Sequence, residues 1–371
     1  MLVLRILAVV AGVVIVVGTL LSAVKTVVVP RGYVSRLTRR HFRAMRRIFG
    51  WFARPSRPYE ERDRVLAFYA PVALITLPAV WVTGVLGGFC LFYWGVGAHS
   101  IPEAFVISGS SLFTLGFVRP EGTPRTAMAF VEAGLGLGLV SLMISYLPTI
   151  YGAFSRREAQ VGMLEVRAGL PPSACELLVR YQRIGWLDRV GDDVFARWEG
   201  WFVDVEESHT SHPSLVFFRS PHPDRNWVTA AGCVLDTAAL FASTVDLPHD
   251  PQADLLIRTG FFSLRRVSDY FGIDYPTDPA PTDPISITRA EFDDACADLR
   301  AGGVPLRADL DQAWRDFSGW RVNYDLVLIA MCELVNAPTA RWSSDRTLQV
   351  EVPDSFASPR TLRRRRGATR R

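Results

Sequence analysis

The sequence predicts an all-α membrane protein with three transmembrane helices, a re-entrant pore loop between the second and third, and an α-helical cytoplasmic domain. Three observations predict it. Ile6–Val24 is 19 residues without a charge, close to the ~20 apolar residues that a bilayer core requires. Two more long apolar segments follow, Val65–Gly97 and Thr126–Phe154, and the stretch between them, Ile101–Glu121, is too short and too polar to cross. From Ser155 onward the chain turns soluble in character, with helical periodicity and little strand alternation. The composition agrees: 49% of residues are hydrophobic and the mean hydropathy is +0.17.

The first element, residues 1–30, is read as a retained transmembrane helix flanked by Arg5 and Lys25. Its alternative is a cleaved signal peptide. The apolar run is longer than the ~7–15 residues of a typical h-region, which favours retention. Residues 31–64 carry eleven arginines against Glu60, Glu61 and Asp63, and an arginine excess beside a span marks the cytoplasmic side. The N-terminus is therefore placed outside. Within this linker Val34, Leu37, His41, Met45, Ile48, Phe49 and Phe52 recur at helical spacing, opposite Arg36, Arg39, Arg40, Arg43, Arg46 and Arg47. Such a helix suits the inner membrane surface, with arginines at anionic lipid headgroups; the alternative is packing on the cytoplasmic domain. His41 reads as a packed or interfacial side chain rather than a ligand. Lys25 is the only lysine, an arginine bias that fits a GC-rich bacterial genome and hence a bacterial inner membrane.

Residues 65–154 form the central module. Aromatic residues at both ends of its first segment, Phe68 and Tyr69, then Phe92, Tyr93 and Trp94, fit interfacial belts. Ile101–Glu121 opens on Pro102-Glu103, suited to a helix N-terminus, runs about three turns and ends in Thr114-Leu115-Gly116-Phe117. Irregular backbone at membrane depth requires protein or a water-filled cavity around it. The last segment ends at Arg156 and Arg157, so its inner end is again positive. Glu132 is its one acid, either an intramembrane functional group or an interfacial one. Gly134, Gly136 and Gly138 permit close helix packing or a bend, and Pro148 offers a second bend.

Residues 155–344 read as one helical domain. The helical stretches are Ser155–Leu170, Pro172–Leu187, Asn226–Ser243, Pro251–Gly272, Ile287–Gly302 and Asp309–Val335. The tail, residues 345–371, has seven arginines from Pro353 onward and almost nothing to bury, so it is predicted to be disordered. A nucleic-acid role for it is not expected on a membrane protein. The five cysteines are dispersed, with no CxxC, and read as reduced and buried. His209, His212 and His222, near Glu206, Glu207 and Asp224, form the one cluster that suggests a metal. Their H-x-x-H spacing is not the helical H-E-x-x-H pair, and Pro213, Pro221 and Pro223 predict a polar loop there. No nucleophile, phosphate loop or metal constellation points to an enzyme.

An apolar helix, a short helix ending in Thr-Leu-Gly-Phe, and a glycine-bearing apolar helix occur in that order over Val65–Phe154. This stretch resembles the pore module of the potassium-channel superfamily, the two-transmembrane-helix ion channel domain. The resemblance implies a homotetramer with four copies of the Ile101–Glu121 loop around one pore. It implies K+ as the permeating cation, no cofactor, and a filter at Thr114, Leu115, Gly116 and Phe117 whose carbonyls replace the ion's hydration shell. It places the pore entrance at Val118 and Arg119 and the inner-helix bend at Gly134, Gly136 and Gly138. Val118 stands where the family has its second glycine, and Arg119 where an acid is common. The competing reading is a non-conducting, membrane-anchored oligomeric sensor or scaffold built from such a module.

Overall fold

Helix α1 (Leu2–Val27) and helix α4 (Tyr69–Gly95) lie against each other because small residues face one another along both. A Cβ on Gly12 would sit 2.4 Å from the Gly88 carbonyl, and one on Gly84 would sit 2.6 Å from Thr19 Oγ1. Close backbone approach of this kind lets apolar helices gain packing where no hydrophobic drive separates protein from lipid. Trp81 Nε1 donates to Ser22 Oγ at 3.3 Å near one end of the pair. The structure, a computed structural model, describes residues 2–29, 35–118 and 120–347. Arg119 and the basic tail from 348 onward lie outside the described residues.

Helix α2 (Arg36–Phe52) is the amphipathic arginine-rich segment. Its Thr38, His41 and Phe42 are buried. His41 Nε2 donates to the Ala73 carbonyl at 2.9 Å, and Phe42 packs edge-on to Tyr69. His41 is thus a packed side chain on α4. Helix α3 (Tyr59–Ala67) follows the Pro55 and Pro58 break. Helix α5 (Ile101–Leu112) and helix α6 (Thr123–Ala168) complete the first half of the chain.

The chain divides into two compact units. One comprises Met1–Trp51 with Phe68–Gly152, the other Phe52–Ala67 with Ala153–Arg371. The arginine-rich linker is therefore shared: α2 belongs to the first unit and α3 to the second. Helix α6 continues through Pro148.

Among the described residues, four helical stretches are long and apolar enough to cross a membrane: Leu2–Val27, Tyr59–Gly95 (α3 running into α4), Thr123–Ala168 and Trp227–Thr244. The last is 94% buried inside its own unit, whereas the first three are 22–33% buried. Val14, Ile75 and Ile144 on those three expose more than half of their surface, and such apolar faces need a bilayer or another chain around them. They mark the chain as a membrane protein.

The second unit is helical throughout its described residues, apart from one isolated antiparallel bridge between Val245 and Leu306. Besides α3 and the last part of α6, its α-helices are α7 (Ala174–Arg183), α8 (Ala196–Ser211), α9 (Trp227–Thr244), α10 (Pro251–Asp269), α11 (Arg289–Ala301), α12 (Leu310–Arg321) and α13 (Asp325–Val335). Asn226 caps α9 by accepting from the Val228 and Thr229 amides. Nearly every residue of α9 is buried, with α7, α10, α12 and α13 packed around it. Among the described residues of this unit, the guanidiniums of Arg321 and Arg157 are the most completely buried. Arg321 pairs with Asp236 of α9 and with Asp325, at 2.8 Å from the latter. Burial alone would lower its pKa, but Asp236 and then Asp325 hold it above the ordinary arginine value. Arg157, which follows the third apolar segment beside Arg156, is fully buried. It donates to the carbonyls of Leu215 at 2.9 Å and Phe218 at 2.7 Å.

The histidine region differs from the loop that the prolines predict. Helix α8 runs to Ser211 and carries Glu206, Glu207 and His209. His209 is fully buried, with Nε2 3.1 Å from Arg157 Nη1 and Nδ1 3.0 Å from Ser208 Oγ. Arginine can only donate, so Nε2 accepts, and Nδ1 carries the proton towards Ser208. Both ring nitrogens are engaged within the protein.

Burial, and then the charge of Arg157, hold the His209 imidazole well below its ordinary pKa. In the unfolded chain it titrates near ~6.5, so the folded state binds fewer protons. The stability involved is complete above that value and is lost as pH falls through the folded one. The unfolding midpoint of the intact protein, followed by tryptophan fluorescence, should drop as pH is lowered from about 6.5 to about 5. His209→Gln should flatten that slope. An equal slope in the variant would assign the acid sensitivity elsewhere.

Candidate functional site

The segment between α4 and α6 is shaped from its first residue. Ser100 caps α5 by accepting from the Glu103 amide, and the Glu103 carboxylate reaches back to the His99 amide at 2.7 Å. Reciprocal bonding of this sort satisfies two orphan donors at once, and proline in the first turn adds a preset φ.

Side-chain pairing sets the direction of α5. Ser108 Oγ lies 3.1 Å from the Leu86 carbonyl, and Cys90 Sγ lies 3.7 Å from the Ile101 carbonyl, so α5 runs antiparallel to α4. Towards α6 the order is reversed. Ser108 Oγ bonds Glu132, and Leu112 meets Gly136, where an added Cβ would lie 2.1 Å from the Leu112 carbonyl oxygen. Each pair is four residues on from the other in both helices, so α5 and α6 run in the same sense. Thr123 lies nine residues before Glu132, about 14 Å back along the axis at 1.5 Å per residue. Arg125 Nη2 bonds the Val96 carbonyl at 3.0 Å, and Thr126 Oγ1 bonds the Pro120 carbonyl at 3.1 Å. The chain therefore descends along α5, turns at Phe113–Val118, and climbs back to begin α6 beside the end of α4.

Ser110 fastens the turn. Its carbonyl accepts from the Leu115 amide at 2.9 Å and, more weakly, the Gly116 amide at 3.4 Å. Its hydroxyl accepts from the Val118 amide at 3.2 Å and faces the Val118 carbonyl at 3.4 Å. Thr114 adopts φ 54° and Gly116 φ 70°, while Val118 is not left-handed. The Thr114 hydroxyl donates to the Phe113 carbonyl at 2.8 Å. Phe113, Leu115 and Phe117 each expose more than half of their surface.

Among the glycines of α6, Gly136 is the packing residue, whereas no atom lies within 4 Å of a Cβ built on Gly134 or Gly138. Glu132 is fully buried, bonded to Ser108 through Oε1, and its Oε2 has no hydrogen-bond partner. It is therefore an internal, packed group of this unit. Ser108 carries no signal in the sequence beyond being one of three serines among Ser108–Ser111 in an apolar helix, and Ser110, at the end of that helix, shows nothing there of its part in the turn. Among the described residues no cluster of three metal-ligating side chains occurs. No family model, curated protein or solved structure matches the chain.

Proposed function

We propose that the chain is a potassium-channel-like monovalent cation channel of the bacterial inner membrane, with a pore formed by four copies of the Ile101–Glu121 loop. The observation that carries this reading is the path of the chain: down α5 antiparallel to α4, around Phe113–Val118, and back to the head of α6. A half-length helix followed by irregular backbone is tolerated inside a bilayer where it lines a cavity. In this reading α1, α4 and the first part of α6 cross the membrane, and α5 with its turn is the re-entrant loop. The N-terminus lies outside, and α2 meets anionic headgroups. Thr114, Leu115, Gly116 and Phe117 face the ion path, Val118 and Arg119 stand at its entrance, and the negative end of each α5 macrodipole favours a cation there. Gly134, Gly136 and Gly138 lie on the pore-lining helix.

Tetramers in mild detergent, measured by native mass spectrometry, support the proposal; monomers or dimers contradict a pore built from one loop per chain. Gly116→Val is the matching variant. Its φ of 70° is costly for a β-branched residue, yet no atom lies within 4 Å of the new Cβ. It should abolish flux and leave assembly intact, and unchanged conductance would sink the filter assignment.

One observation favours the second reading, a non-conducting oligomeric sensor or scaffold. The Leu115 and Gly116 amides and the Thr114 hydroxyl are tied into a local turn, an arrangement suited to a rigid cap on α5. Absence of cation-dependent flux from reconstituted tetramers would select it.

A further inference from the structure

Glu132 poses a proton-counting problem that its neighbours solve. Ser108 Oγ lies within hydrogen-bonding distance of two oxygens, the Leu86 carbonyl and Glu132 Oε1. A serine hydroxyl carries one proton, and a backbone carbonyl can only accept. If Glu132 were ionised, both neighbours would be acceptors and one of the two contacts would lack a hydrogen. If Glu132 is neutral, the count closes: its O–H donates to Ser108, and Ser108 donates to Leu86.

The surroundings favour the same answer. Glu132 is fully buried, and its second oxygen has no hydrogen-bond partner. From α4 the titratable groups that face it are Tyr93 and Cys90. From α5 there is none, because Glu103, its one charged residue, is turned to the His99 amide. On α6 the nearest cation in sequence, Arg125, is held by the Val96 carbonyl. An ionised carboxylate here would be a buried charge without a counter-ion, which proteins avoid by neutralising the group.

We propose that Glu132 is a proton-binding site. It is carried as a neutral carboxylic acid at neutral pH, it links α6 through Ser108 to α5 and α4, and its ionisation loosens α5 and the turn that α5 supports. The proton leaves as pH rises, so the change lies on the alkaline side. The proposal concerns a protonation state and stands whether or not the loop conducts.

The test uses the full-length protein in lipid nanodiscs with carboxyl-labelled glutamate, followed by isotope-edited infrared spectroscopy. At neutral pH the spectrum should contain the carbonyl band of a protonated glutamic acid, and the band should disappear at alkaline pH and be missing from Glu132→Gln. In parallel, the wild-type unfolding midpoint should fall by several degrees on going alkaline, while Glu132→Gln, a permanent neutral donor, loses less. A wild-type spectrum without that band at neutral pH overturns the proposal, and it decides the matter even where the variant fails to fold. A variant as alkali-sensitive as the wild type overturns the assigned lock.

Discussion

Gly136→Ala should destabilise the first unit by about 2 kcal/mol, as overpacking does at a tight contact, although the same change at Gly134 or Gly138 should be neutral or stabilising. The three glycines share one helix and differ only in what lies opposite. A methyl on Gly136 would fall 2.1 Å from the Leu112 carbonyl oxygen and 3.1 Å from its carbon. These are backbone atoms, so relief requires α5 and α6 to separate, which also pulls Ser108 from Glu132 one turn away. At Gly134 and Gly138 no atom lies within 4 Å, and alanine gains its ordinary advantage of about 0.5–1 kcal/mol within a helix. Denaturation in mixed micelles would measure the opposite signs. Equal effects at all three positions would mean that Gly136 is not the contact.

Arg321→Ala should be the most damaging single change in the second unit. It leaves Asp236 and Asp325 buried without their shared counter-charge, and the Trp342 carbonyl loses its donor. Breaking a buried ion pair from one side costs about 3–5 kcal/mol, an unfolding shift on the order of 10 °C for a unit of this size. The loss belongs to the stranded carboxylates rather than to the missing arginine. Arg321→Met combined with Asp236→Asn and Asp325→Asn should therefore recover most of it. A triple variant as unstable as Arg321→Ala would show that packing, not charge, is the cause.

These contacts also mark how far the sequence could be read. Long apolar runs announce α1, α4 and α6, and Pro102-Glu103 announces the start of α5, because length, charge absence and capping are local properties. The periodic stretches of the second unit likewise emerge as α7 and α9 to α13. Helix α8 did not, since the prolines from Pro213 onward drew attention to a loop while the helix before them buries Trp198, Trp201 and Phe202. Arg157 stands in the sequence as one of two arginines after an apolar segment, with nothing local to mark it as buried. Its burial depends on the Leu215 and Phe218 carbonyls, some sixty residues later. The centre of the candidate site was likewise only half legible. Glu132 is conspicuous as a lone acid in an apolar segment, but its partner Ser108 is set by the register of α5 against α6, which no local spacing encodes. Ser110 closes the turn in the same hidden way, through contacts to Leu115, Gly116 and Val118.

The most direct measurement of the proposed pore is cation flux through the purified, reconstituted protein. Proteoliposomes carrying the wild-type chain should pass K+ down its gradient, and Gly116→Val, reconstituted at equal tetramer content, should not. Wild-type vesicles no more permeable than protein-free ones would contradict the channel reading.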